Sequence, residues 1–256
     1  GPLMVDDGRT ILQIDETVRV YDDDGALHFA LSGATRPATY DARFGIAVPR
    51  AGEIALHGND GSLRASSPLP TGFDPQRLIW MEDGGLIVSG PMNAGAAMLR
   101  LDGNGTRLGL ITEFAAPGFT DLIDTGTTIL ATARFDRGEG PAQLLRLDRT
   151  TLATRAMDPI PGPDTRFWRG ANGQVWLSGR SDGRVSVLQL EANGQVLGRH
   201  VLPLAKGEVV HVGEDGLLTA LQSYASSGEA MLLTHRPSAT LSTTPLAQSA
   251  LGGAWY

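Results

Sequence analysis

Apolar residues in this chain come in short runs, and the runs recur in a fixed order. From Arg77 the sequence reads RLIWMED-GG-LIVSG-PMNAGA-AMLRLD-GNG-TRLGLITEF, four apolar stretches separated by glycine-rich turns. The order returns after Phe119 with DLID, TTILATA, QLLRLD and TLATRAM, and from Arg166 with RFWRGAN, GQVWLSG, SVLQLE and QVLGRHVL. It returns again from Val209 with VVHVGED, GLLTALQ, MLLTHR and TLSTTPL. A shorter copy starts near Tyr40, and a partial one opens the chain with VDDG and RTILQID. Runs of this length are too short for helices that hold in water. Many alternate apolar with polar residues, as in Val185-Ser186-Val187-Leu188-Gln189-Leu190. Asp-Gly, Asn-Gly and Gly-Asn pairs fall between them, where a tight hairpin needs positive φ. The pattern predicts strands, and no segment reads as a helix.

The repeat has a measurable period. At one landmark in the third run, Arg100 to Arg146 is 46 residues, Arg146 to Gln189 is 43 and Gln189 to Leu233 is 44. Ala55 to Arg100 is 45, and Arg19 to Ala55 is 36. Four antiparallel strands every 40–45 residues or so is the spacing of a β-propeller blade. The expected fold is all-β, a six-bladed β-propeller in a single domain over 4–256. Its blades fall at 5–33 (completed by 254–256), 38–69, 77–114, 119–157, 166–204 and 208–246. The first unit begins at the turn Asp6-Asp7-Gly8 without an innermost strand. Ala254-Trp255-Tyr256 is therefore expected to pair into it and close the ring, covering its open edge. Trp255 then takes the place that Trp80 holds in the third blade, where Trp80 packs between blades. Gly1-Pro2-Leu3 reads as an expression-tag scar.

The units GGLIVSG and AAMLRLDGNGTRLG resemble the two-strand unit of delta-60 type propeller repeats of bacteria, and the stretch 172–197 is similar. The resemblance covers the repeat unit and implies a propeller fold. It implies no substrate, because propellers host unrelated activities.

Composition narrows the chemistry. There is no cysteine, so disulfides, thiolate metal sites and a cysteine nucleophile are excluded. No apolar run is long enough to span a bilayer. The net charge of −7 argues against a nucleic-acid partner. Twenty of the 21 basic residues are arginine, a bias of a GC-rich bacterial genome. The chain is expected to be cytoplasmic if Met4 is the native start, and otherwise periplasmic or secreted with its signal removed. A monomer is expected unless the chain joins a complex, with no membrane insertion and no cofactor. Histidines 28, 57, 200, 211 and 235 lack H-x₃-H spacing, so any metal site has to be assembled across blades. Gly179-Arg180-Ser181-Asp182-Gly183 spells a nucleophile-elbow motif, but a strand follows it instead of the required helix. Asp22-Asp23-Asp24-Gly25 and Asp102-Gly103-Asn104-Gly105 lack the oxygen pattern of a calcium loop and fall where hairpin corners are needed.

Candidate site residues follow from the blade scheme. The innermost strands place Tyr40, Ile79, Asp121, Trp168 and His211 at one aligned position, flanked by Arg77, Phe119 and Arg166. Phe73, Arg134, Arg180 and Tyr224 lie on loops expected at the same face. One reading is a non-catalytic module that presents these loops around a central channel to a protein segment or a polymer, through side chains common at binding hot spots. The alternative is a hydrolase, lyase or isomerase acting on a small molecule or glycan at the channel mouth. Asp121 or His211 is then the general base, and Arg77 or Arg166 clamps an anion. A flat face exposing Phe73, Phe119 and Tyr224 favours the first reading; Asp121, Trp168 and His211 converging in a pocket favour the second.

Overall fold

Hairpin corners recur in which a short polar side chain accepts a hydrogen bond from the backbone two residues on. Asp24 accepts from the amide of Ala26, Asp60 from Ser62, Asp83 from Gly85, Asp102 from Asn104 and Asn193 from Gln195, at 2.8–2.9 Å. This local bond is what makes Asp and Asn turn formers. The two calcium-loop lookalikes are such corners, each closed further by a backbone bond from the glycine amide to the carbonyl of Asp22 or Asp102.

A computed structural model describes residues 3–6, 8–93, 95–114, 118–134, 142–160, 165–170, 174–181, 184–202, 207–213, 216–224, 229–235 and 242–246. Among these residues there are 24 strands and no helix. They form six four-stranded antiparallel sheets, each built from consecutive strands. The first sheet holds β1 (Leu3–Asp6), β2 (Arg9–Ile14), β3 (Thr17–Tyr21) and β4 (Leu27–Ser32). The second holds β5 (Thr39–Asp41), β6 (Gly45–Arg50), β7 (Glu53–His57) and β8 (Leu63–Pro68). The third holds β9 (Arg77–Trp80), β10 (Leu86–Met92), β11 (Gly95–Leu101) and β12 (Arg107–Phe114). The fourth holds β13 (Gly118–Asp124), β14 (Ile129–Arg134), β15 (Ala142–Leu147) and β16 (Thr154–Ile160). The fifth holds β17 (Arg166–Arg169), β18 (Val175–Ser181), β19 (Arg184–Leu190) and β20 (Val196–Val201). The sixth holds β21 (Gly207–Val212), β22 (Leu218–Tyr224), β23 (Glu229–His235) and β24 (Ser242–Leu246). The expected all-β architecture of four-stranded antiparallel units is what the chain forms.

One edge differs from the sequence reading. The first sheet has its own first strand, β1, with Leu3 opposite Leu12 and Asp6 opposite Arg9. The sequence had assigned that place to Ala254-Trp255-Tyr256 and had set Leu3 aside. The reason is local: Gly8, at φ 73°, turns the chain back on itself, and a short hairpin closes with far less loop entropy than a distant strand. Residues 247–256, with the expected closing strand, lie outside the described residues.

The chain divides into two compact units, Gly1–Phe119 with Thr150–Leu152, and Thr120–Arg149 with Ala153–Tyr256. In the first unit, Ile11, Val18 and Val20 of the first sheet pack on Ile46 and Val48 of the second. The second and third sheets meet through Ile54, Leu56, Leu78, Trp80 and Leu99. Trp80 sits there against Phe44, ring centroids 5.8 Å apart. In the second unit, Ile123, Leu130 and Leu144 of the fourth sheet meet Val175, Leu177 and Leu188 of the fifth. Trp176 and Val187 of the fifth meet Val212, Leu218 and Leu233 of the sixth. Middle strands such as β6 and β10 are therefore buried on both faces. On fourth strands, whose outer edge meets water, exposed positions alternate with more buried ones instead.

Gly45 shows why a glycine opens β6. Its φ is 94°, and a Cβ there would stand 2.1 Å from the carbonyl oxygen of His57. His57 is itself fixed: Nδ1 donates to Gly61 O at 2.9 Å, which leaves Nε2 to accept from Arg50 Nη2 at 3.3 Å. Burial holds this imidazole below its ordinary pKa.

Candidate functional site

The second unit gathers the polar and aromatic first-strand residues. Trp168 of β17 sits edge-on to His211 of β21, ring centroids 6.3 Å apart and planes at 80°. This T-shaped arrangement suits the quadrupoles of both rings. The Trp168 Nε1–H donates to Ser178 Oγ at 3.2 Å. Ser178 in turn lies within 3.4 Å of the Arg166 carbonyl, so the indole is held by the strand beside it. The pairing of β21 with β22 slips by one residue between Val209 and His211. This bulge takes His211 out of the regular alternation, so Val209 and Val212 are buried while His211 is exposed.

Register places two arginines on the face that carries Trp168. Arg166 lies opposite Ser178, and Trp168 opposite Trp176. Residues opposite one another, and every second residue along a strand, share a face. Arg166, Trp168, Ser178 and Arg180 therefore stand on one face. β17 begins and β18 ends at the same end of the sheet, and both arginines there are exposed. The stretch 165–202 carries Arg166, Arg169, Arg180, Arg184 and Arg199 against Asp182 and Glu191, a net of +3 in a chain of −7.

Asp121 is close by but engaged. Its Oδ2 accepts the backbone N–H of Phe167 at 2.7 Å, tying β13 to β17. Next to it, the hydroxyls of Thr120, Thr132 and Thr165 form a closed triangle with edges of 2.6, 2.7 and 2.8 Å. Each hydroxyl in such a ring can donate once and accept once. Deeper in the unit, Asp124 is fully buried. It accepts from Arg149 Nη2 at 2.8 Å and from the amide of Gly126 at 3.1 Å.

The other sequence candidates fall elsewhere. Tyr40 is half-buried against the core between the first two sheets. Arg77 is exposed at the start of β9, opposite Ser89. Phe73 is only 7% exposed and Phe119 6%, so neither offers an exposed aromatic surface. Phe73 turns inward because its loop prolongs the pairing to β10: Asp74 N donates to Pro91 O and Gln76 N to Ser89 O. The chain comes so near that a Cβ on Gly90 would stand 1.9 Å from the Asp74 carbonyl. The side chains of Arg134 and Tyr224 lie outside the described residues. Among the described residues no group of three or more His, Asp or Glu could hold a metal ion.

Sequence reasoning missed Ser178 and did not join Arg180 to Trp168. The signal was present in the repeat. LIVSG, ILATA and VWLSG each put a small hydroxyl residue at the fourth position of the second strand, and it faces the first strand in Ser89, Thr132 and Ser178.

Six sheets of four consecutive antiparallel strands define the fold class as β-propeller, and solved structures agree. The streptogramin B lyase structure matches with a TM-score of 0.62 at 12% identity, over 95% of this chain and 81% of that one. Virginiamycin B lyase from Staphylococcus aureus matches with a TM-score of 0.64 at 10% identity, over 95% and 83%. The β-propeller domain of the trilobed protease from Pyrococcus furiosus matches with a TM-score of 0.59 at 12% identity, over 93% and 75%. At these identities the likeness shows the fold alone. No protein-family model and no curated protein sequence matches the chain.

Proposed function

We propose that the chain is a binding module that takes an acidic protein segment at the end of the fifth sheet where Arg166, Arg180, Trp168 and His211 stand. The observation that carries this reading is the exposed Arg166 and Arg180 on the same face as the Trp168–His211 pair, on a sheet of opposite charge to the chain as a whole. Arginine offers a planar fork to carboxylates, and the indole edge supplies an apolar anchor beside it. A positive sheet on an acidic protein also orients an acidic partner during encounter. The engagement of Asp121 with Phe167 N speaks against a free general base.

The finer architecture belongs to the same reading. The six sheets act as blades of one propeller ring with repeats of the delta-60 type. β1 already fills the first sheet, so this reading needs no exchanged strand. The protease propeller from Pyrococcus furiosus has an open velcro topology. A second reading, an enzyme acting on a small molecule at the same end, draws on exposed His211 and on the lyase neighbours.

An array of synthetic peptides graded in acidic content tests the choice. Binding should rise with acidic residues and fall at high salt. Arg166→Ala and Trp168→Ala should each weaken it about tenfold or more, Arg166→Ala without changing the melting temperature. Peptide binding indifferent to both substitutions would remove the site, and turnover abolished by His211→Ala would favour the enzyme.

A further inference from the structure

A second cluster of polar atoms in the same unit has no part in that site. His200 Nε2 and His235 Nδ1 are both buried, and among the described residues neither has a hydrogen-bond partner. Leaving a buried polar atom unsatisfied is costly, so two together ask for an occupant.

The register turns them to facing sides of one seam, between the fifth and sixth sheets. His200 on β20 lies opposite Val187, and Val187 packs in the core shared with Leu218. His235, at the end of β23, lies opposite that same Leu218. Trp176 bridges the two sides: its ring centroid is 6.1 Å from that of His200. Its far edge stands 3.0 Å from where a Cβ of Gly216 would be, two residues before Leu218. Burial, with a smaller part from the neighbouring His235, holds His200 below its ordinary pKa. A third donor is adjacent. Gln189 Nε2 donates to Gln174 Oε1 at 3.0 Å, which turns the Gln189 carbonyl oxygen the other way. A Cβ on Gly198 would stand 3.5 Å from His200 Nε2 and 3.8 Å from Gln189 Oε1, so the absence of a side chain leaves open the space they border.

We propose that His200 Nε2, His235 Nδ1 and Gln189 Oε1 bind a borderline first-row divalent cation, Zn(II), Ni(II) or Cu(II), with solvent completing its shell. Two imidazoles and one amide oxygen suit these ions, whereas calcium and magnesium need a shell of oxygens. The ion joins β20 of the fifth sheet to β23 of the sixth and acts as a staple in a chain with no cysteine.

Zinc chloride titrated calorimetrically into the chelator-stripped full chain at pH 7.5 tests this. One saturable site and a raised melting temperature are expected. His200→Asn and His235→Asn should each weaken binding about tenfold or more, as even the loss of outer-shell partners does. Gly198→Ala leaves all three donors in place and adds a methyl at ordinary contact distance. It should weaken zinc binding while the zinc-free melting temperature stays unchanged. His28→Asn should leave the affinity unchanged; it removes the imidazole 3.2 Å from the Asp22 carboxylate, an alternative position for zinc. Absence of saturable binding, binding that persists in His200→Asn or His235→Asn, or a loss confined to His28→Asn would overturn the assignment.

Discussion

The seam between the second and third sheets, in the first unit, and the seam between the fourth and fifth, in the second, share an apolar core and differ near their first strands. In the first unit Trp80, Leu78 and Phe73 carry the apolar contact right up to the first strand, with Phe44 laid on the indole. Its polar links sit on outer strands, where Arg64 Nη2 donates to Gly103 O and Arg107 Nη2 to Pro68 O, both at 3.1 Å. In the second unit the corresponding positions hold a hydroxyl triangle and a carboxylate bonded to a neighbouring strand's amide. Apolar packing is non-directional and needs only area. Hydrogen bonds fix distance and angle, so they set where Arg166 and Trp168 stand relative to β13. The two seams show that this repeat can spend its first strand on packing or on placing side chains, and the candidate site lies where it does the second.

Three substitutions test that contrast, from the largest effect to the smallest. Trp80→Ala should cost about 3–5 kcal/mol in chemical denaturation, the range for emptying a large aromatic site. Trp80→Phe should cost much less, because Trp80 Nε1 has no hydrogen-bond partner among the described residues. Equal losses in the two variants would mean that the seam depends on the indole N–H. Thr132→Val should cost about 1–2 kcal/mol, since it leaves two buried hydroxyls short of a partner. Thr132→Ser should restore most of that loss. If Thr132→Val melts as the parent does, the triangle does not hold the polar seam.

The smallest effect concerns His57, a polar group within the mainly apolar first unit. Its folded pKa lies below its ordinary value of 6.5, with burial as the main cause and the Arg50 charge adding to it. The unfolded chain therefore binds this proton more readily than the folded one. The stabilisation is complete above pH 6.5 or so and is lost as pH falls from there through the depressed folded value. Melting temperature measured from pH 7.5 down to pH 5 should fall less steeply in His57→Gln than in the parent. An unchanged slope would place the pH response elsewhere.

Much of this was legible in the sequence, and the misses have physical causes. Runs of four to seven residues between Asp-Gly and Asn-Gly corners mark strands and hairpins because both signals act within a few residues. The aligned first-strand residues Asp121, Trp168 and His211 could be listed for the same reason. Their roles could not. Asp121 is bonded to an amide 46 residues away, and His211 is displaced by a bulge of which the run VVHV gives no sign. Phe73 looked exposed because loop composition says nothing of whether a loop extends a strand's pairing. Leu3 looked dispensable because the first strand was sought at the far end of the chain.

By itself, then, the sequence determined the strands, the four-strand unit and its repetition, all of which follow from alternation and turn chemistry within some forty residues. Only the tertiary structure decided which polar groups face one another across sheets. That turns on register, where a slip of one residue reverses a side chain's face, and on which neighbouring sheet stands opposite. The Trp168–His211 pair with its arginines, and the buried His200 and His235 nitrogens, are products of that second level.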